Sequence, residues 1–376
     1  MRRRVFIKKS MAAAGSILGG SFLFSACKEN LRYRLMAAQI KSPGGFRNDM
    51  GLDEKIYKIL YYASLAPSGH NSQPWLVRQV SRNQFIIELD KSRRLLAVDP
   101  DMHESILSLG AFMENINIAA GQEGLSTHVN IIAENTRSRE VAEIIFKKDR
   151  PVDYPLHRLA MRRTVKGGML PRELSMEDVK AFEQKSGPGL YYFPRKSRHA
   201  RFMEEQAIEN FTIQTRNDNA QEELSRWIRF KDKDVEKFRD GLSVKSMEIN
   251  GIAGWYVKNF MDKRDVTGKR FRQKGIEKTI KQVRQGGGWL VITGNGNLPA
   301  DLLDSGQRFQ RMALIARERN IAIHPMTQTL EEENGQKNIR KNHDSGMVPH
   351  FMLRVGYVDK YPDPVTLRRP VEWFVR

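Results

Sequence analysis

One pattern constrains this chain more than any other: a run of helix-period and strand-period segments that occurs twice along its 376 residues. Asp53 precedes Ile56, Ile59, Leu60 and Ala63, apolar residues at helical spacing, and Pro67 stops that helix. "WLVRQV" and "QFIIELD" flank Ser81-Arg82-Asn83, which predicts a hairpin. Residues 104–123 predict a second helix, with Leu109, Phe112, Ile116 and Ala119 on one stripe and Gly124 at its end; "HVNIIAE" follows as a third strand. The first half therefore reads α-β-β-α-β. In the second, Ser175 caps "SMEDVKAFEQKS" and places Glu177 and Asp178 in the first turn, where the helix dipole favours acids. "GLYYFP", "WLVIT" (289–293), a helix over 300–319 and the strands "IAIHP" and "HFMLRVGYV" come next. Setting aside a helical, basic stretch at 200–285, the second half reads α-β-β-α-β-β, close to the order of the first. An α+β chain of two related halves is expected, residues 51–157 and 158–376, with 200–285 as a helical insertion.

Composition adds a partner class and an address. The formal charge of +19 suits phosphate-bearing ligands, nucleic acid or anionic lipid. Five of the cations, Arg2, Arg3, Arg4, Lys8 and Lys9, sit in the first ten residues, ahead of an uncharged run that ends at Ala26. That run is shorter than the ~20 residues a membrane span needs, and the layout is that of a twin-arginine export signal. "LFSAC" is similar to a lipoprotein cleavage box, which makes Cys27 the expected lipidation site. Residues 1–27 are read as this signal and 28–50 as a tether, leaving an exported, membrane-anchored protein of the periplasm or cell envelope. Cys27 is the only cysteine, so no intramolecular disulfide can form. The twin-arginine route exports folded proteins, which raises the expectation of a cofactor inserted beforehand.

Two short stretches carry chemistry. Arg162-Arg163-Thr164-Val165-Lys166 sets three cations around a hydroxyl, a donor set suited to a phosphate dianion. "APSGHNSQPW" (66–75) crowds short polar groups between a helix and a strand, far more than a connector requires. Other chemistries fail. "TGNGNLP" has Pro299 where a dinucleotide fingerprint needs its third glycine, and reads as a turn into a helix. The eight histidines show no metal-ligand spacing, and no serine sits in a nucleophile elbow. The basic, Met- and aromatic-rich insertion reads as a lid with a core face, although "KRFRQKGIEKTIKQVR" could also lie on anionic lipid.

Taken together, "APSGHNSQPW", "RRTVK", "SLGAFMENINIAAGQEGL", "DSGQRFQRMALIARERNIAIHP" and "LRVGY" resemble the nitroreductase family of FMN flavoproteins, over most of residues 51–357. The resemblance is strongest to its internally duplicated branch, which includes mycobacterial dormancy-associated nitroreductase-like proteins. It implies two α-β-α sandwich halves forming an intrachain pseudo-dimer. The family's two FMN motifs are split here, the loop in the first half and the phosphate motif in the second, so one composite site is expected where the halves meet. Arg162, Arg163, Thr164 and Lys166 would take the phosphate, with help from Arg354. Pro67, Ser68, Gly69 and Asn71 would approach the flavin ring, and Asn71 could present both a donor and an acceptor. Pro325 and Met326 would line its edge through backbone groups. Trp75 is expected in the core. The implied activity is reduction of nitroaromatics, quinones or similar acceptors, with NAD(P)H or another donor reducing the flavin and no acid–base side chain required. The alternative is a protein that stores FMN under a cover and does not turn over. Metal and nucleic acid are not expected.

Overall fold

The computed structural model describes residues 50–343 and 346–376. The export-signal and tether readings of residues 1–49, Cys27 included, lie outside the described residues.

The first half opens with α1 (Glu54–Ala63), whose N-terminus is capped by the Asp53 carboxylate accepting from the Lys55 N–H. Strands β1 (Trp75–Gln79) and β2 (Gln84–Leu89) form the expected antiparallel hairpin. Helix α2 (His103–Gln122) follows, then β3 (Leu125–Ile131) and β4 (Glu140–Lys148). The strand order is β1-β2-β4-β3. Strand β4 is absent from the sequence-based expectation. Val141, Ile144 and Phe146 of β4 are buried, and the strand pairs with both β2 and β3, so it joins β3 to the hairpin.

After the short helix α3 (His157–Met161), the second half has α4 (Met176–Ser186), β5 (Leu190–Pro194), the insertion, and β8 (Gly288–Gly294). It ends with α11 (Pro299–Glu318), β9 (Ile321–Pro325) and β10 (Val348–Tyr357). Between β9 and β10 lie α12 (Gln328–Glu331) and α13 (Glu333–His343). The insertion comprises helices α5 (Arg198–Arg216), α6 (Asp218–Trp227), α7 (Asp232–Phe238), α8 (Gly251–Phe260), α9 (Lys263–Val266) and α10 (Lys269–Val283). It also holds a two-stranded parallel pair, β6 (Ile228–Arg229) and β7 (Leu242–Ser243). The second sheet has the order β5-β8-β10-β9, the same order as the first once β5, β8, β9 and β10 are matched to β1, β2, β3 and β4. The insertion stands where the first half has only the hairpin turn between β1 and β2.

The halves meet through α2 and α11, both of 20 residues, with a glycine at the eighth position of each. A Cβ on Gly110 would lie 2.2 Å from the Leu303 carbonyl oxygen, and one on Gly306 would lie 2.1 Å from that of Leu107. The two glycines therefore let the backbones touch, and the contact is reciprocal, as across a two-fold axis. Gln310 donates to Asn115 at 2.8 Å and Arg311 pairs with Glu114 at 2.7 Å beside that crossing. One apolar cluster runs through both halves, from Ile59, Trp75 and Phe112 to Leu290, Phe309 and Leu353. Trp75 is fully buried and stacks on Phe112. The C-terminal tail then leaves the second half and covers the open edge of β1. Val77 donates to the Phe374 carbonyl at 2.7 Å, and Arg376 donates to that of Val77 at 2.9 Å.

Candidate functional site

The "APSGHNSQPW" loop joins α1 to β1 in a conformation its residues resist. His70, Asn71 and Gln73 have φ of 49°, 53° and 55°, the left-handed region that costs a non-glycine residue about 1 kcal/mol or more. The loop keeps that shape because distant segments grip it. Asn71 Nδ2 donates to the carbonyls of Gly241 (3.2 Å) and Leu367 (3.4 Å). Gln73 Nε2 donates to Arg239 O at 2.8 Å. From the tail, Arg369 donates to Gln73 O at 2.6 Å and to Trp75 O at 2.8 Å. The corresponding α4–β5 connection in the second half is only residues 187–189, so the gripped loop exists once among the described residues.

The phosphate-type motif runs along the edge of the second sheet, where Val165 N–H donates to Ile323 O. Glu248, from the insertion, holds it: its Oε1 accepts from Arg163 Nη2 at 3.0 Å and from Lys166 N–H at 2.9 Å. Arg354 braces it from behind, donating to Lys166 O, to the Gln282 carbonyl and to His324 Nδ1 at 3.1 Å. Its side chain is fully buried and lies behind the cavity wall.

Between the loop and the motif lies a cavity of about 1280 Å³, larger than the ~300–1,000 Å³ of most small-molecule pockets. Pro67, Ser68, Gly69 and Asn71 line one side; Arg162, Arg163, Thr164, Lys166, Pro325 and Met326 line the other. Ten of the eleven expected cofactor contacts are thus brought to one wall system, and Arg354 is the exception. The Met326 N–H is spent on the Met352 carbonyl at 2.8 Å, and Pro325 has no N–H, so this pair can offer only carbonyl oxygens. Helices α5, α6, α8 and α10 of the insertion supply Gln214, Leu224, Tyr256 and Lys278 to the remaining wall.

The cavity is electrostatically uneven. At the motif end, Arg162 makes no hydrogen bond among the described residues, and its Nε is a buried donor with no partner. Neither Arg162, Lys166 nor Arg368 has a carboxylate within ion-pair distance among the described residues. Burial lowers all three from their usual values, Lys166 to about 8 and Arg368 to about 9. Arg162 is buried and Lys166 and Arg368 are half-buried, so holding three positive charges on this wall is costly, and a bound anion relieves that cost. On the loop side, the Asn71 Oδ1 acceptor is also buried and unpartnered, because its Nδ2 is committed to the two carbonyls. These orphaned groups fit a ligand with a phosphate at one end and a polar ring edge at the other. They narrow the expectation for Asn71: it has an acceptor to offer, and no free donor.

Further groups on this wall carried no local sequence signal. His324 accepts from Arg354, and a guanidinium cannot accept, so Nδ1 is bare and Nε2 carries the proton. Burial and the Arg354 charge push His324 well below its usual value, so it is neutral. His70 is likewise lowered, to about 4, by burial. Glu104 of α2 and Glu331 of α12 face each other across the seam of the halves, close enough for their charges to interact. Thr327 donates to Glu104, and Gln214 donates to Glu331 at 2.5 Å. Burial raises both carboxyls above the usual carboxylate range, and the Glu104 charge raises Glu331 further. Gly69 makes room for the pair, since a Cβ there would lie 2.4 Å from Glu104 Oε2. By contrast, Ser305 and His350, 2.7 Å apart, are buried in the core and serve packing.

No family model matches the chain. Over 151 residues it is 26% identical to acg of Mycobacterium tuberculosis, a protein provisionally named an NAD(P)H nitroreductase. That stretch is 33% of this chain and 45% of the relative, so the chain spans about half the length of the curated relatives it matches. Among solved structures it is similar to a nitroreductase with bound FMN from Desulfitobacterium hafniense (12% identity, 56% of this chain and 92% of that one, TM-score 0.33). It is similar also to the FMN-dependent nitroreductase NfnB of Mycobacterium smegmatis, solved with NADPH (13% identity, 56% and 93% covered, TM-score 0.33).

Proposed function

We propose that the cavity holds one FMN and that the protein is an FMN-dependent oxidoreductase. The observation that carries this reading is the group of cations Arg162, Lys166 and Arg368 on the cavity wall, Arg162 buried with its Nε unpartnered, faced by a strained loop from the other half. FMN, when bound, supplies the two-electron chemistry, and the protein supplies position and electrostatics. Arg162 and Lys166, with Arg163 and Thr164, would bind the phosphate. Asn71 Oδ1 would accept from the polar edge of the ring, while Pro67, Ser68 and Gly69 allow the backbone close to its face. Arg354 is a positioning residue for the Lys166 carbonyl and for the His324 tautomer. His324 Nε2–H, and the Glu104–Glu331 pair when it carries a proton, are the donors available to a molecule entering beside the ring. The cavity volume leaves room for such a second molecule, which favours turnover. Nitroaromatics, quinones and related acceptors suit the site, and the name of the mycobacterial relative supports NAD(P)H as the reductant. The duplicated sheets and the single gripped loop support an intrachain pseudo-dimer with one composite site. Export by the twin-arginine route and lipidation at Cys27 rest on the layout of residues 1–27.

The roof made by the insertion favours a second reading, a flavin store with a restricted ring. The absorption spectrum of the purified protein separates both from a colourless binder. Bleaching by NADPH, with recolouring and turnover on adding a quinone, is the expected result. A yellow protein bleached by dithionite alone would establish the store, and a colourless protein that takes up no FMN would refute both.

A further inference from the structure

Helix α8 (Gly251–Phe260) is the most exposed apolar element among the described residues. Ile252 is 87% exposed, Trp255 59%, Tyr256 51% and Phe260 62%. Trp255, Tyr256 and Phe260 lie three, four and eight positions after Ile252, which puts all four on one face of the helix. They form a single patch: the Phe260 ring stacks on Tyr256 at 5.4 Å and meets Trp255 edge-on at 5.3 Å. The polar residue on that face, Asn259, turns its amide onto the Trp255 carbonyl at 2.7 Å. The opposite face is anchored. Gly254 packs so closely on the Ile249 carbonyl that a Cβ would lie 2.3 Å from its oxygen, and Val257 and Met261 pack on the cluster of Ile228, Phe230 and Val266. The helix is therefore rigidly mounted, with its aromatic side turned to solvent.

Charge decides what covers it. Residues 250–284 contain ten lysines and arginines against three acids. Among them Lys263, Lys269 and Arg270 have no ion pair among the described residues, and Arg264 is exposed beside Asp262. Trp, Tyr and Phe beside a basic field are the composition of a helix that lies in the headgroup region of an anionic membrane. No helix among the described residues is long and apolar enough to cross a membrane. We propose that α8 and the basic flank after it dock this protein on an anionic lipid bilayer, with the aromatic face in the interface. Ile252, Ala253, Tyr256 and Val257 also line the cavity, so docking would set the cavity mouth against the lipid and give a lipid-soluble molecule a short route to it. The docking itself does not depend on the redox reading.

Hydrogen exchange on the full chain tests this locally, so that membrane binding by the apolar residues 11–26 does not confuse the result. Vesicles of phosphatidylglycerol should slow exchange across 251–260 by about tenfold or more. Vesicles of phosphatidylcholine should not, and added salt should reverse the effect. Ile252→Asp with Trp255→Asp should abolish the protection while leaving the melting temperature unchanged, because both side chains are at the surface. Unchanged exchange of 251–260 on anionic vesicles would overturn the proposal. So would protection that appears without lipid as protein concentration rises, which would mark the patch as a contact between copies.

Discussion

Lys166 titrates at about 8 in the folded protein because burial penalises its charge, whereas an unfolded lysine titrates near ~10.4. Between those values the folded chain binds fewer protons than the unfolded one, so this residue's contribution to stability rises with pH across that window. A phosphate bound beside it favours the charged form instead. FMN binding at about pH 9 should therefore take up close to one proton, seen as a binding heat that changes with the ionisation enthalpy of the buffer. Lys166→Met should remove the uptake and weaken binding by about 10- to 100-fold, the worth of a charge-assisted hydrogen bond. The acid pair titrates in the other sense. Glu104 and Glu331 are raised by burial, so the folded state holds more protons than the unfolded one above the ordinary carboxyl range. Stability then falls as pH rises, by at most about 1.4 kcal/mol per pH unit for each proton held. Glu331→Gln should flatten that fall and leave the variant more stable than the parent at pH 8, measured by urea denaturation. The two motif stretches were legible because their residues are consecutive. Glu104, Glu331, His324 and Arg368 were not, because each gains its role from a neighbour far away in sequence.

At the scale of elements, two glycines of the same type in helices have opposite predicted effects. Replacing a mid-helix glycine by alanine ordinarily gains about 1 kcal/mol. Gly275 in α10 has only the Phe211 ring, at 3.8 Å, near its missing Cβ, so Gly275→Ala should realise that gain. Gly110 faces backbone on both sides, with the Leu303 oxygen at 2.2 Å and Gly306 Cα at 3.0 Å. Neither can yield without moving α11, and overpacking costs typically ~1–3 kcal/mol. Gly110→Ala should therefore lose about 1–2 kcal/mol net, read from thermal melts run beside Gly275→Ala. The helices and most strands were legible from periodicity, the capping residues Asp53 and Ser175 included. Strand β4 carried a usable signal in Val141, Ile144 and Phe146, but Ala142 and Ile145 between them broke the alternation of apolar and polar residues. The pair β6–β7 carried none, since two-residue strands are made by their partner.

At the scale of the molecule, one apolar cluster crosses both halves and the tail returns to pair with β1. Neither half encloses a core alone, so unfolding in urea should show one transition, with fluorescence and circular dichroism coincident. Two separated transitions would mean that the halves are independent domains. Most of the helices and strands and the two cofactor-type motifs were determined by the sequence, because hydrophobic spacing and residue type act over a few neighbouring positions. The tertiary structure alone decided that the motifs share one cavity, that Arg354 stands behind its wall, that Asn71 keeps only an acceptor free, and that two acids meet at the seam. Those outcomes depend on burial and on partners hundreds of residues apart, and such long-range contacts leave no periodic trace in a single chain of letters.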